Sequence, residues 1–144
     1  MTLAYFDISA LVPLVIAEPT TRHCIQLWDG ADEVVTTSLA FVEVHSALAQ
    51  ATRQGRLSET DRLRSVRAFE ARWNDLIRIP PHDDLLTIAA TLSAEHALRG
   101  YDAVHCATAL AAASDDFVAV TGDRDLLRAW SSLGIATIDT AGRG

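Results

Sequence analysis

The sequence LAYFDISALV, residues 3–12, is the stretch from which the rest of the chain is interpreted. Its apolar first half stops at Asp7 and passes directly into a helix-like pattern. This order is typical of a buried strand that delivers one carboxylate to its C-terminal end. Ligands of open α/β sheets bind at that edge. The role of Asp7 therefore depends on which side chains the rest of the chain brings to the same edge.

Length and composition predict a single compact domain over residues 1–144. Hydrophobic residues make up 49% of the chain, which is enough for a core without disulfides or a structural metal. No apolar run is long enough to cross a bilayer, and the first residues lack the basic start of a signal peptide. We therefore expect a cytoplasmic protein with no membrane partner. Cys24 and Cys106 lie far apart in sequence and are predicted to be small core residues.

The charge of the chain is unevenly distributed. A formal net charge of −7 argues against a generic nucleic-acid-binding protein. Residues 53–78, however, contain seven arginines and four acidic residues, so this segment is basic and the remainder is strongly acidic. All 12 basic residues are arginine. Chemistry that requires a lysine of this chain is therefore excluded.

Alternating strand and helix patterns predict the fold class. Apolar or β-branched runs that indicate strands occur at residues 3–6, 34–36, 76–79, 117–121 and 135–138. Two consecutive helical patterns, residues 38–54 and a pattern opening at Ser58, predict an αα-hairpin with Gly55 at the break. Strands that alternate with helices over the whole length predict a three-layer α/β/α sandwich with a mostly parallel central sheet.

Local signals also predict where several elements begin and end. We expect Ser9 to cap the first helix, and Asp102 to cap a helix rich in small residues over 103–113. Gly100 is expected just past the end of the preceding helix. Residues 140–144 are expected to form a loose tail. The buried stripe of the second hairpin helix is expected to consist of Leu63, Val66, Phe69 or Ala68, and Trp73.

Four acidic residues stand where this layout places polar groups at strand ends or on a buried helix face: Asp7, Glu43, Asp102 and Asp123. Three of them have simpler explanations as turn or cap residues, and Glu43 could lie on a solvated surface. Glu43 is the informative member, because its neighbours are apolar and a carboxylate buried without a partner costs several kcal/mol.

Convergence of these acids would create a metal site. Clustered carboxylates raise one another's pKa, and a hard divalent cation relieves the repulsion. Mg²⁺ or Mn²⁺ suits a cluster of oxygen ligands. Such a site favours phosphodiester hydrolysis by a metal-activated water. Ser9 and Thr121 are close enough in sequence to bond a carboxylate or a metal-bound water, whereas Asp125 is either a helix N-terminal residue or a supporting contact.

Taken together, these segments resemble the PIN-domain ribonucleases, and more narrowly the VapC-type toxins of bacterial toxin–antitoxin pairs. FDISAL at residues 6–11 resembles the opening D-x-S segment of the family, and VEV at 42–44 resembles its helix-borne glutamate. LRGYDAVH at 98–105 and VTGDRDLL at 120–127 are similar to its Asp-Ala and T-x-D segments. No single segment is specific, but the four in this order and at this chain length are.

The resemblance implies an activity and partners. It implies that Asp7, Glu43, Asp102 and Asp123 carry Mg²⁺ or Mn²⁺, and that the chain cleaves RNA endonucleolytically as a toxin. It also implies a homodimer and a VapB-type antitoxin whose C-terminal segment covers the active site. A PIN nuclease of RNA processing and a catalytically silent PIN-like binding module remain as alternatives, although no carboxylate of the set is lost.

Other enzyme classes fit less well. A phosphatase of the haloacid-dehalogenase kind also has an aspartate after its first strand, but it is expected to have an acid two positions later and a lysine near the phosphate. This chain has Ser9 at that position and no lysine. The missing lysine also argues against a two-component receiver domain.

The remaining candidates are basic and aromatic side chains. The arginine-rich hairpin offers contacts to RNA phosphates, with a solvated helical face or an antitoxin contact as alternatives. The arginines chosen for RNA binding are Arg53, Arg56, Arg64 and Arg67. His105 is expected in the core or at a dimer contact, because a zinc site shared with His23 has no diagnostic spacing. Trp28, Trp73 and Trp130 are expected to be core or interface residues.

Overall fold

A computed structural model of the chain describes residues 1–142 and contains a five-stranded sheet between two layers of helices. The strands are β1 (Leu3–Phe6), β2 (Glu33–Thr37), β3 (Ile77–Ile79), β4 (Phe117–Thr121) and β5 (Thr137–Asp139). Their spatial order is β3-β2-β1-β4-β5, and every neighbouring pair is parallel. The predicted three-layer sandwich is confirmed.

The α-helices of residues 1–142 are α1 (Ile8–Leu11), α2 (Thr21–Gly30), α3 (Ala40–Arg53), α4 (Glu59–Trp73), α5 (Asp83–His96), α6 (Gly100–Ala112) and α7 (Arg124–Ser132). A short 3-10 turn, Val12–Leu14, follows α1. No helix in this part of the chain is long and apolar enough to span a membrane.

The strand order reverses direction at the centre of the sheet. From β1 the chain builds outward through β2 to β3, and it then returns to place β4 on the other side of β1. Phe6 pairs with Val120, so β1 and β4 end side by side. Such a reversal leaves a crevice outside the carboxyl ends of the two strands, where α/β proteins bind ligands.

Alternation along β1 divides the apolar core between the two faces of the sheet. Tyr5 packs with residues of α5, α6 and α7, whereas Ala4 and Phe6 pack with residues of α1, α2, α3 and α4. Successive side chains of a strand point to opposite faces, so this division follows from β1 being central. As a result, Tyr5 reaches α6 while Asp7, two residues later, stands at the end of the strand.

The predicted αα-hairpin consists of α3 and α4, which pack against each other. Gly55 adopts a φ of 75° in the connection, a conformation that favours glycine. Ser58 caps α4 by accepting a hydrogen bond from the amide of Asp61. The prediction for Leu63 was wrong, because its side chain is 44% exposed. Ser65 takes the inward position instead and donates a hydrogen bond to the carbonyl of Val15.

Two helix starts differ from prediction. Asp7, and not Ser9, caps α1 through a hydrogen bond from the amide of Ala10 to its Oδ1. The cap position of α6 is Arg99, so Asp102 lies inside the first turn of the helix. The reason is that α5 already ends at His96, followed by Ala97 as its C-cap in a left-handed conformation with φ 53°. As a result, Gly100 is the first residue of α6 and is not the residue that ends α5.

The predicted loose tail is wrong for Thr140. Only 4% of this residue is exposed, and its amide donates to the carbonyl of Thr121 in β4. His23 Nδ1 lies 2.8 Å from the carbonyl oxygen of Thr140. The segment after β5 is therefore fixed against the end of β4. The last part of the predicted tail, residues 143 and 144, lies outside the described residues.

Candidate active site

Asp7 occupies the crevice beside the end of β4. Only 2% of the residue is exposed. Its Oδ1 accepts hydrogen bonds from Ser9 Oγ at 2.7 Å and from the amide of Ala10 at 3.2 Å. Its Oδ2 accepts a hydrogen bond from Thr121 Oγ1 at 2.6 Å. A buried carboxylate needs such donors, and here they fix both oxygens in position.

The hydroxyls of Ser9 and Thr121 join the two strand ends. Ser9 Oγ accepts a hydrogen bond from the amide of Gly122 at 2.7 Å, and Thr121 Oγ1 accepts one from the amide of Asp123 at 3.0 Å. The two hydroxyl oxygens lie 3.1 Å apart. Each hydroxyl thus donates to Asp7 and accepts from the segment after β4, so the position of Asp7 depends on both strands.

Asp123 is both a helix cap and a neighbour of the crevice. Its Oδ1 accepts hydrogen bonds from the amides of Asp125 at 2.8 Å and Leu126 at 3.0 Å, which caps α7. Neither bond uses Oδ2. The carboxylate of Asp125 is exposed and pairs with Arg128 Nη1 at 2.7 Å. Asp125 therefore contacts the predicted site through its backbone amide.

Asp102 faces a cavity at the start of α6. The cavity has a volume of about 700 Å³ and is lined by Leu39, Arg99, Gly100, Tyr101, Asp102, Val104 and Asp123. Burial raises the pKa of Asp102, and the nearby negative charge of Asp123 raises it further. Two of the four predicted carboxylates therefore line one cavity and repel each other.

Glu43 makes its contact with α6. Its Oε1 lies 2.8 Å from Nε2 of His105, and the other ring nitrogen of His105 lies 2.7 Å from the hydroxyl of Tyr5. His105 is 1% exposed, whereas the Glu43 side chain is 13% exposed. The carboxylate is therefore at the border between core and solvent, with a buried hydrogen-bonding partner behind it.

Electrostatics connect the four carboxylates. Burial raises the pKa of Asp7, and the nearby imidazole of His105 partly offsets that rise. Burial lowers the pKa of His105, but the hydrogen bond to Glu43 and the charges of the surrounding carboxylates outweigh it, so the net pKa is raised. His105 interacts electrostatically with Glu43, Asp7 and Asp102, and Asp102 interacts with Asp123. The four acids thus share one electronegative region.

The donor set suits a hard cation. Within residues 1–142, no group of three or more Asp, Glu, His or Cys side chains is placed to hold a metal ion by itself, as a closed cage would. Mg²⁺ does not need such a cage, because it keeps several waters and is held through one or two carboxylates together with substrate phosphates. An open arrangement of carboxylates with raised pKa values fits this mode of binding, because a cation would relieve their repulsion.

Three residues near the site were missed from sequence. His105 was expected in the core or at a dimer contact, and although it is buried, it bonds Glu43. Its spacing of three from Asp102 on one helix was the available signal, because such residues share a face. Arg99 and Tyr101 line the cavity and were not singled out. Both lie within the LRGYDAVH segment beside Asp102, but nothing in a single sequence assigns a role to either side chain.

The four arginines predicted to bind RNA lie on the exposed surface of the hairpin. Arg64 pairs with Asp61 at 3.3 Å, and Arg56 donates to the side chain of Gln54. Arg53 lies on the same helix as Glu43, ten residues further on, which corresponds to roughly 15 Å along the axis. Arg67 lies on α4. They are thus on the α3–α4 side of the sheet and outside the cavity lining.

Comparison with known proteins identifies the relatives of the chain. The PIN domain family model matches residues 4–130. Ribonuclease VapC45 of Mycobacterium tuberculosis is 38% identical over 126 residues, which covers 88% of each chain. PAE2754 of Pyrobaculum aerophilum aligns with a TM-score of 0.71 at 21% identity, covering 96% of this chain and 90% of that chain. For VapBC-5, a toxin–antitoxin system of M. tuberculosis, the TM-score is 0.65 at 19% identity, with 96% and 99% covered.

Proposed function

The chain belongs to the PIN domain family, and from that premise we propose that it is a metal-dependent endoribonuclease and the toxin of a toxin–antitoxin pair. The observation that carries the proposal is Asp7, a buried carboxylate at the topological reversal whose oxygens accept three hydrogen bonds. It shares one electronegative region with the other three acids. The similarity to a protein named as a ribonuclease supports the same assignment.

The proposed site is built from residues of four separate elements. Asp7, Glu43, Asp102 and Asp123 would hold Mg²⁺ or Mn²⁺, with Ser9, Thr121 and Asp125 as their supports. When bound, the ion polarises the scissile phosphate and lowers the pKa of a bound water. The part played by the chain is to hold the carboxylates still. Ser9 and Thr121 donate to Asp7, and the amide of Asp125 fixes Asp123.

The proposed partners follow from the same assignment. RNA is the substrate, and the exposed arginines Arg53, Arg56, Arg64 and Arg67 are proposed to contact its phosphates. A VapB-type antitoxin is proposed as the inhibitor, supported by the similarity of the fold to that of the VapBC-5 toxin–antitoxin system. A homodimer in the cytoplasm, formed by chains that are each one domain, completes the proposal.

RNA cleavage by the purified protein tests the proposal. We expect activity with Mg²⁺ or Mn²⁺, abolition by EDTA, and a loss of at least about 100-fold in Asp7→Asn and in Asp102→Asn, because a metal contributes several kcal/mol to stabilising the transition state. Asp29→Asn is a matched control, since Asp29 is an exposed acid on α2. Cleavage that persists in both site variants and in EDTA would contradict the assignment. A wild-type protein that binds RNA without cutting it would favour the silent binding module.

A further inference from the structure

We propose that His105 is a positioning residue which, held by Tyr5, fixes the carboxylate of Glu43 for metal binding. The proposal rests on the proposed function, because it assigns a role to a side chain behind one of the proposed ligands. It goes beyond the proposed function by adding two core residues, Tyr5 and His105, neither of which would contact the metal or the RNA. Their contribution would be to the geometry of the site.

The three side chains form one hydrogen-bonded chain from the core to the border of the site. The hydroxyl of Tyr5 lies 2.7 Å from Nδ1 of His105, and Nε2 of His105 lies 2.8 Å from Oε1 of Glu43. Tyr5 is fully buried. Both distances are within the range of good hydrogen bonds, and both ring nitrogens of His105 are used.

The direction of the bond to Glu43 follows from the chemistry of its two ends. An ionised carboxylate only accepts, so Nε2 of His105 must carry the proton that bonds Glu43. In the neutral imidazole, Nδ1 then accepts from the hydroxyl of Tyr5, which lies 2.7 Å away. In the charged imidazole Nε2 still donates to Glu43. The role of His105 therefore does not depend on its protonation state.

Aromatic packing restricts the movement of the imidazole. The rings of Tyr5 and His105 meet edge to face, with centroids 5.9 Å apart and an interplanar angle of 77°. On its other side, Tyr5 meets Trp130 in a similar way at 5.8 Å and 75°. Trp130 is fully buried and donates a hydrogen bond to the carbonyl of Cys106. The imidazole is thus held by a rigid aromatic cluster that contains residues of β1, α6 and α7.

Glu43 needs an external support more than the other acids do. Asp7 and Asp123 are short side chains that accept bonds from residues two or three positions away in sequence, and Asp7 accepts a further bond from Thr121 at the end of the neighbouring strand. Glu43 has a longer side chain with more rotamers, and His105, which bonds it, is 62 residues away. Holding one oxygen of Glu43 removes rotamers before an ion arrives, as outer-shell partners of metal-binding carboxylates do.

The elements that carry Tyr5 and His105 also present two of the other three acids. Tyr5 precedes Asp7 by two residues on β1, and His105 follows Asp102 by three residues on α6. The contact with Glu43 therefore ties α3 to the two elements that present Asp7 and Asp102. A histidine that only filled space in the core would not reach a carboxylate with part of its surface in solvent.

Mn²⁺ binding by the full-length protein, measured by electron paramagnetic resonance, tests the proposal separately from catalysis. We expect His105→Phe, which removes the donor and keeps an aromatic ring, to weaken Mn²⁺ binding about 10- to 100-fold. His105→Gln retains an N–H donor toward Glu43 and is expected to recover most of that loss. Tyr5→Phe should weaken binding less than His105→Phe, and it should cause no further loss when the two substitutions are combined.

Ser65→Ala is the matched control, because it removes another buried hydrogen bond, at the α4 packing surface. It should lower stability in urea and leave Mn²⁺ binding unchanged. Equal weakening by His105→Gln and His105→Phe would overturn the proposal, because the loss would then reflect packing and not the donor. If His105→Phe does not fold, His105→Gln and Tyr5→Phe decide the outcome, and unchanged Mn²⁺ binding in Tyr5→Phe would overturn the proposal.

Glu43→Gln separates this proposal from the proposed function. Weaker Mn²⁺ binding in Glu43→Gln together with unchanged binding in His105→Phe would overturn the positioning role and leave the metal site intact. Unchanged Mn²⁺ binding in Glu43→Gln would remove Glu43 from the site and overturn the positioning role with it. The nuclease assignment would then still be decided by Asp7→Asn and Asp102→Asn.

Discussion

Substitution of Gly122 by alanine should destabilise the protein through a single steric contact beside Asp7. A Cβ at this position would lie 2.6 Å from Oγ1 of Thr140 and 3.6 Å from Oγ of Ser9. The φ angle of Gly122 is not in the left-handed region, so backbone strain does not contribute. Thr140 is buried and its backbone is bonded to β4, so its side chain has little space into which it can move aside.

The magnitude follows from the overlap. Reaching ordinary van der Waals distance requires a displacement of about 0.8 Å in a packed region, and overpacking of this kind costs about 1–3 kcal/mol. We expect Gly122→Ala to lower the free energy of unfolding in urea by about 2 kcal/mol. Gly30→Ala is the matched control, because a Cβ at Gly30 would meet no atom within 4 Å beyond its chain neighbours and its own helix backbone. It should change stability by less than about 1 kcal/mol.

A double-mutant cycle identifies the contact responsible. Thr140→Ala removes Oγ1, so Gly122→Ala should cost at least about 1 kcal/mol less in that background. The shift should also reach the site, since Ser9 Oγ accepts from the amide of Gly122 and donates to Asp7. Equal costs of Gly122→Ala in the two backgrounds would refute the steric explanation. A Gly122→Ala protein as stable as Gly30→Ala would refute the packing of residue 140 against this turn.

Two further predictions concern the surface arginines and the thiols. Arg53→Gln combined with Arg67→Gln should raise KM for RNA and leave kcat unchanged. It should also reduce the slope of log K against log salt concentration by about 1.4, because two contacts to single-stranded phosphates are lost. Arg62→Gln, whose guanidinium already pairs with Glu59, is the control, and an unchanged salt slope would exclude RNA contacts by the pair. Cys24 and Cys106 are buried, and burial raises the pKa of each thiol to about 11, so a thiol reagent at neutral pH should label them only after unfolding in urea. Because the folded state holds these protons more tightly, the contribution of the thiols to stability should be full below pH 9.0, the ordinary thiol pKa, and should fall as pH rises towards 11. Rapid labelling of the folded protein would contradict the burial of the thiols.

Much of the fold was predictable from the sequence because its signals are local. The strand at residues 3–6, the β-branched run of β2 and the apolar run of β4 each carry their own pattern, and their alternation with helices specifies a parallel sheet. The exposure of Leu63 was not predictable in this way. Several faces of α4 are compatible with its sequence, and the contact of Ser65 with Val15, 50 residues away, determines which face is buried.

The predicted helix boundaries were wrong for a similar reason, because they depend on neighbouring parts of the fold. Asp102 has the chemistry of a cap residue, but the position at which α5 ends decides where α6 begins. A left-handed alanine at the end of α5 carries no sequence signal, because glycine or asparagine is the usual residue there. The prediction for Thr140 failed because its burial depends on β4 and His23, which are distant in sequence.

In the candidate site, too, residues with partners near them in sequence were easier to predict than residues with distant partners. Asp7 and Asp123 could be singled out because each follows the pattern of a buried strand. Ser9 and the first amides of α7, which support them, are near them in sequence, whereas Thr121, which also bonds Asp7, is 114 residues from it. Glu43 could be recognised only as a carboxylate that needed a partner, and the partner is a histidine on another helix. A buried ionised group without a donor costs more than most single substitutions, so the burial that the apolar neighbours of Glu43 favoured implied a donor from elsewhere in the fold. His105 meets that requirement in the structure, which is why removing its N–H should affect the geometry of Glu43 before it affects any other carboxylate of the site.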